Sequence, residues 1–231
     1  MHYIIYISFL IKHFTQTKIL YICHNVLPHE RSLYDMPLAK LAFRFSDFFI
    51  THSREDSIAL EHVVGTKKKI ISGFHPVYNV FQTAKKIDID EVKKELHVEK
   101  KVLLFFGYIR PYKGLKYLLQ AMPEIIKSFP ELTLLIAGEF WSKDKHEYLA
   151  LIKELQIEDH VVLVNTYIPN EEIAKYFHIT DVVILPYTSA TQSGITQIAR
   201  AFGTPVISTA AGGLRDTLEQ GDLIIKSHDS A

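Results

Sequence analysis

The chain has 231 residues, with 26 Lys plus Arg, 26 Asp plus Glu and 48% hydrophobic residues. This is the composition of one or two globular domains, and a formal net charge of zero argues against a nucleic-acid partner held by bulk electrostatics. A single cysteine, Cys23, rules out an internal disulfide and fits a buried core thiol in a reducing compartment.

The opening run, MHYIIYISFLIKHF, is apolar, but Lys12 and His13 break it before the ~20 residues a membrane-spanning helix needs. It has no basic n-region and no small-residue cleavage site, so it reads as a buried strand or helix rather than a signal peptide. Residues 18–23, 47–53 and 68–74 are β-branched and aromatic runs of strand type, and 35–46 and 54–64 have helical spacing. The charged stretch 87–98 reads as a linker leading into a surface helix. Strand-type runs then recur at 100–109, 132–138, 160–168, 181–187, 204–209 and 221–226, with helical patterns at 114–128, 144–156, 170–178 and 193–202 between them. Continuous apolar strands alternating with helices predict an α/β protein whose parallel sheets are covered on both faces. The expected division is a partial first domain over 1–85, a linker over 86–98 and a second domain over 99–231. The first has few strands, and the second stops at KSHDSA without a terminal helix, so truncation at both ends is expected.

Two loops stand out. PYTSATQSGITQIARAFGTPVIST follows a strand and opens a helix, and its small residues Ser189 to Gly194 allow a ligand to approach the backbone. Amides near Ser193, Gly194 and Ile195 can hold an anion at the helix N-terminus, and an ordinary capping loop explains the same residues. In FFGYIRPYKGLKYLLQAM, Arg110 and Lys113 lie between a strand and a helix start, where they suit a diphosphate. A pair of solvated surface charges is the alternative. Both loops fall on the carboxyl-terminal edge of one sheet, where ligands of open parallel sheets bind. Neither a G-x-x-x-x-G-K-S/T loop nor a G-x-G-x-x-G fingerprint is present.

The segments GYIRPYKGLKYLLQAMPEI, LTLLIAGEFW, YIPNEEIAKYFHITDVVILPY, SATQSG, AFGTPVIST and GGLRD occur in the order of the family 4 glycosyltransferases, which the chain resembles over residues 18–226. YICHNVLPHER and FITHSRED look like the end of such an enzyme's N-terminal domain. The resemblance implies a GT-B fold of two Rossmann-like domains, the N-terminal one incomplete here. It also implies retaining sugar transfer from a nucleotide-diphosphate sugar to a glycan, lipid or other glycoconjugate acceptor.

By that resemblance Arg110 and Lys113 bind the donor phosphates, and Gly107 lies beside them. Thr191, Gln192, Ser193, Gly194 and Ile195 cradle phosphates and sugar, and Tyr167 and Ile168 lie beside the nucleobase. Glu139 is a candidate for the ribose, and Trp141 beside it reads as a packing residue. His24 and Asn25 are placed on the acceptor side, with His24 able to orient a hydroxyl, and His29 and Glu30 form a candidate acid–base pair. His75 is a weaker cleft candidate, and Gly212, Gly213 and Asp216 read as a close backbone approach or a plain turn.

Many relatives carry two Glu eight positions apart across this loop and helix. The matching positions here are Ala190 and Ile198, or Thr191 and Ala199 one residue on, so no carboxylate is supplied and Gln192 is expected to take over the sugar contact. The resemblance implies no cofactor beyond the nucleotide-sugar co-substrate and no metal; the sequence has no DxD and no His/Cys cluster of ligand spacing. It places the chain in the cytoplasm at the inner face of a membrane, with peripheral contact left open. Two other readings stay open: a GT-B nucleotide-sugar epimerase, and an inactive fragment or scaffold domain.

Overall fold

The computed structural model describes residues 2–26, 33–65, 67–73, 76–82, 87–98, 101–141, 144–190 and 192–226. The chain divides into two compact units. The first is Met1–His75 with Ala190–Gln192, and the second is Pro76–Ser189 with Ser193–Ala231.

The first unit runs α1 (His2–Phe14), β1 (Leu20–Cys23), α2 (Asp35–Phe43), β2 (Phe48–Thr51), α3 (Arg54–Val64) and β3 (Lys69–Ser72). Its three strands pair in parallel in the order β1-β2-β3. The opening apolar run is a helix, one of the two forms expected, but it is not buried as expected: Tyr3, Ile4, Tyr6, Ile7, Phe9 and Phe14 are exposed. Helix α3 starts where Ser53 Oγ accepts from the Asp56 amide at 3.0 Å and contacts the Asp56 carboxylate at 2.8 Å. Cys23 packs among Phe43, Phe49 and Leu60, as expected of a core thiol. Burial, and then the Asp56 charge, push that thiol up to about 11. Asp47 joins α1 to the sheet by accepting from Lys12 Nζ at 2.6 Å and from the Ile19 amide at 2.9 Å. These two bonds, Lys12 first, pull its carboxyl down to about 2.

The second unit runs α4 (Ile89–Glu95), β4 (Lys101–Phe106), α5 (Leu115–Ser128), β5 (Leu132–Ala137), α6 (Lys145–Glu154), β6 (Val161–Val164), α7 (Ile173–His178), β7 (Val182–Leu185), α8 (Gly194–Ala201), β8 (Val206–Thr209) and β9 (Leu223–Ile225). All of its strands are parallel, in the order β6-β5-β4-β7-β8-β9. Numbered within the unit this is 3-2-1-4-5-6, the doubly wound order, and its switch point lies between β4 and β7. Leu103, Phe105, Leu134 and Ile136 pack with Leu115, Leu119 and Met122 of α5 in the core. Each such side chain contributes about 2 kcal/mol on leaving water.

Two expectations need correction. Residues 87–98 are not a linker: Asp88 Oδ1 caps α4 by accepting from the amides of Asp90 and Glu91, Val92 is buried, and Glu95 pairs with Lys175 of α7 at 2.7 Å. The second unit therefore begins at Pro76, earlier than expected. Residues 76–82 sit on α8, where the Tyr78 amide donates to the Gln197 carbonyl at 3.4 Å and the Gln82 side chain donates to the Ala201 carbonyl. Nor is the sheet covered throughout by the described residues. Strand β9, at the sheet edge, exposes Leu223, Ile224 and Ile225. An apolar groove of about 710 Å³ lies beside it, lined by Leu103, Leu118, Ile184, Ile207 and Ile225 among others.

Candidate functional site

The loops after β4 and β7 meet at the switch point of the second unit. Gly114 begins α5 with φ +72°, and a Cβ there would lie 1.9 Å from the Pro186 carbonyl oxygen. Only glycine lets the two loops approach this closely. They are also joined by hydrogen bonds: the Thr188 amide donates to the Tyr112 carbonyl oxygen at 2.8 Å, and the Thr188 hydroxyl donates to the same oxygen at 3.2 Å.

Lys113 lies within this junction and is only 8% exposed, which removes the solvated-charge alternative for it. Its Nζ donates to the Phe106 carbonyl oxygen at a long 3.5 Å and lies 5.7 Å from the centre of the Tyr187 ring. A Cβ at Gly107 would come within 3.1 Å of that Nζ. Among the described residues no carboxylate pairs with Lys113. Burial lowers its ammonium from 10.5 to about 8; Tyr112 opposes the fall and the Arg110 charge adds to it. A buried cation with one long hydrogen bond is costly, and an anion entering the site would relieve that cost.

Arg110 follows β4, half-buried, and has no carboxylate partner among the described residues. Its guanidinium carbon lies 4.0 Å from the centre of the Trp141 ring. Trp141 is 59% exposed, which corrects its reading as a packing residue. Tyr108 meets Trp141 edge-on at 5.5 Å and lies 6.3 Å from Tyr167, so exposed aromatic rings line the ends of β4, β5 and β6. Glu139 is exposed on the same edge, and its carbonyl accepts from the Ile109 amide at 2.8 Å. The Ile168 side chain is buried, so only its backbone is left for a ligand.

Helix α8 begins at the other loop. Ser193, buried, is its N-cap, and its Oγ accepts from the Ile195 amide at 3.2 Å. The capping reading therefore holds for Ile195, whose amide is already engaged. The Tyr187 hydroxyl lies 3.5 Å from Ser193 Oγ, and burial pushes its phenol up to about 12. The ring of Tyr78 packs against Gly194, where a Cβ would lie 3.2 Å from a ring carbon. Ile198 and Ala199 are buried, so these two positions serve the core. We expect Ser193→Ala to destabilise the second unit by about 1 kcal/mol through loss of the cap. Urea unfolding followed by circular dichroism checks this; an unchanged midpoint would remove the cap from the account.

In the first unit His24 and Asn25 are exposed at the end of β1. The His24 ring stacks on His52 at 4.8 Å between centroids. Gln192, which groups with this unit, donates from Nε2 to the His24 carbonyl oxygen at 2.9 Å, and its Oε1 is buried without a hydrogen-bond partner among the described residues. His29, Glu30, His75 and Thr191 lie outside the described residues. Gly212, Gly213 and the exposed Asp216 form part of a 3-10 turn, Gly212–Thr217, as the plain-turn alternative had it. Sequence reasoning did not single out Tyr187 beside Ser193 or His52 beside His24, nor the Arg110 guanidinium over Trp141. The only signal for these lay in their positions at strand ends.

Among the described residues no group of three or more His, Cys, Asp or Glu side chains is placed to hold a metal ion. Nor is any helix among them long and apolar enough to cross a membrane.

The family model for glycosyl transferases group 1 matches residues 86–231. The putative glycosyltransferase YtcC of Bacillus subtilis is 31% identical over 140 residues, covering 57% of this chain and 34% of the relative. The D-inositol 3-phosphate glycosyltransferase of Corynebacterium efficiens is 29% identical over 137 residues, covering 57% of this chain and 32% of the relative. The chain spans about a third of the length of these curated relatives. Among solved structures, Anabaena Alr3699/HepE in complex with UDP matches with a TM-score of 0.80 at 19% identity, over 98% of this chain and 63% of that one. Sucrose-phosphate synthase from Thermosynechococcus elongatus matches with a TM-score of 0.76 at 19% identity, over 97% and 59%.

Proposed function

Because the chain belongs to the glycosyl transferases group 1 family and has the GT-B fold, we propose that it is the part of a retaining glycosyltransferase that holds a nucleotide-diphosphate sugar. The observation that carries this reading is Lys113, a buried ammonium without a carboxylate partner among the described residues, at the switch point of a doubly wound sheet. Such a site suits a ligand that brings two or more negative charges, and a diphosphate does. That HepE was crystallised with UDP makes UDP the first nucleotide to try.

In the proposed reaction, the bond from the anomeric carbon to the diphosphate oxygen breaks as the acceptor hydroxyl oxygen bonds to that carbon on the same face. The departing phosphate oxygen takes the acceptor's proton. Arg110 and Lys113 stabilise the charge that gathers on the diphosphate, with no metal cofactor required. Gly107 gives room beside Lys113, Ser193 and Gly194 border the phosphates, Tyr167 and Ile168 the nucleobase, and Glu139 the ribose. Thr191 and Gln192 are assigned to the donor sugar, and His24, Asn25, His29 and Glu30 to the acceptor side. The acceptor is a glycan, a lipid or another glycoconjugate, met in the cytoplasm at a membrane face.

The test is release of nucleoside diphosphate from a nucleotide sugar in the presence of EDTA, with and without a glycan acceptor. The product's anomeric configuration is read by NMR. Arg110→Ala is expected to lower turnover or donor affinity at least tenfold, about 1.4 kcal/mol. Unchanged kinetics would take Arg110 out of the site, and an inverted anomeric centre would overturn the retaining assignment.

A further inference from the structure

Trp141 is the only tryptophan in the chain. It leaves more than half of its surface in water, yet its backbone is held beside the cation loop: its amide donates to the Ile109 carbonyl oxygen at 3.1 Å. The neighbouring Ile109 amide donates in turn to the Glu139 carbonyl oxygen. Over its ring lies the Arg110 guanidinium, at 4.0 Å. Cation–π attraction at this distance holds a guanidinium without a carboxylate, so no anionic partner among the described residues competes with phosphate for its N–H donors. The need for such a support is local. Arg110 has no carboxylate partner among the described residues, and the Lys113 amide donates to the Arg110 carbonyl oxygen at 3.0 Å, so the two cations leave one tight turn.

We propose that Trp141 is a positioning residue, whose ring holds the Arg110 guanidinium beside Lys113 so that both cations face one incoming diphosphate. This rests on the reading of the site as a diphosphate-donor site. The ring restricts a flexible side chain before the ligand arrives and lowers the ordering cost of binding. Trp141 acts here through Arg110, not on the ligand.

The test is a double-mutant cycle, by calorimetric titration of the 231-residue chain with inorganic pyrophosphate and with UDP, GDP and ADP. Trp141→Leu is expected to weaken diphosphate binding about fivefold, and Trp141→Phe to restore most of it. In an Arg110→Ala background, Trp141→Leu is expected to have no further effect. Wild-type tryptophan emission should also change on adding pyrophosphate, and circular dichroism melts show that each variant is folded. A folded Trp141→Leu chain that binds as tightly as wild type overturns the proposal. So does an equal loss in the Arg110→Ala background, because the ring would then act on the ligand or on the fold. If the wild-type chain binds no diphosphate at all, the donor-site reading fails and this inference falls with it. Wild-type binding without the coupling sinks the inference alone.

Discussion

Lys113→Met is expected to stabilise the unliganded chain while weakening its hold on a nucleoside diphosphate about a hundredfold, ~2.7 kcal/mol. The two effects have one cause. The wild-type ammonium is buried with a single long hydrogen bond among the described residues, and its pKa falls from 10.5 to about 8. That fall corresponds to roughly 3 kcal/mol against the charged, folded form. Methionine fills similar space without the charge, so Tm at pH 7 should rise by about 6 °C or more.

The pH dependence follows in sign. A lysine whose folded pKa lies below its unfolded value costs stability in full below about pH 8, where it is protonated in both states. Between about 8 and 10.5 the unfolded chain binds the extra proton, so wild-type stability rises with pH through that window. The methionine variant lacks this rise. Diphosphate affinity has the opposite trend, since the ligand selects the protonated amine. It should be level below about pH 8 and fall above it in wild type but not in the variant. A variant less stable than wild type at pH 7 would show that Lys113 is satisfied in the unliganded fold.

Gly114→Ala is expected to cost about 4 kcal/mol or more and to abolish nucleotide binding. The added Cβ would lie 1.9 Å from the Pro186 oxygen, in a backbone conformation with φ +72°. The atoms it meets most closely are Pro186 backbone rather than the end of a flexible side chain, so the loops after β4 and β7 must separate. The Thr188–Tyr112 hydrogen bonds break, and the walls around Lys113 open. Gly203→Ala is the control: φ there is also positive, at +66°, but nothing lies within 4 Å of the added Cβ. It should cost only backbone strain, about 1 kcal/mol. Thermal melts compare the two, and equal small shifts would mean that the loops do not meet as described.

Much of the fold was legible in the sequence, because a strand buried on both faces must be apolar at every position, as Val102–Phe106 is. What the sequence hid was set by tertiary contact. The charged pattern of α4 looks like a linker, since a short helix needs to bury only Val92 to join a unit. The site was legible as two loops on one edge, and the resemblance ordered their residues. Burial was not legible, because a lysine three residues after an arginine in a loop reads as solvent-facing whether or not its neighbours close over it. The same holds for Trp141. An aromatic residue after a strand is most often part of a core, and only the position of Arg110 over its ring gives it another role.

The proposed role of Lys113 is to hold a nucleoside diphosphate. Its most direct test is calorimetric titration of the wild-type chain and of Lys113→Met with UDP, GDP and ADP at pH 7. Saturable binding of at least one nucleotide is expected of wild type, with a loss of about a hundredfold in the variant. A wild-type chain that melts cooperatively yet binds none of the three, or a variant that binds as well as wild type, would contradict it.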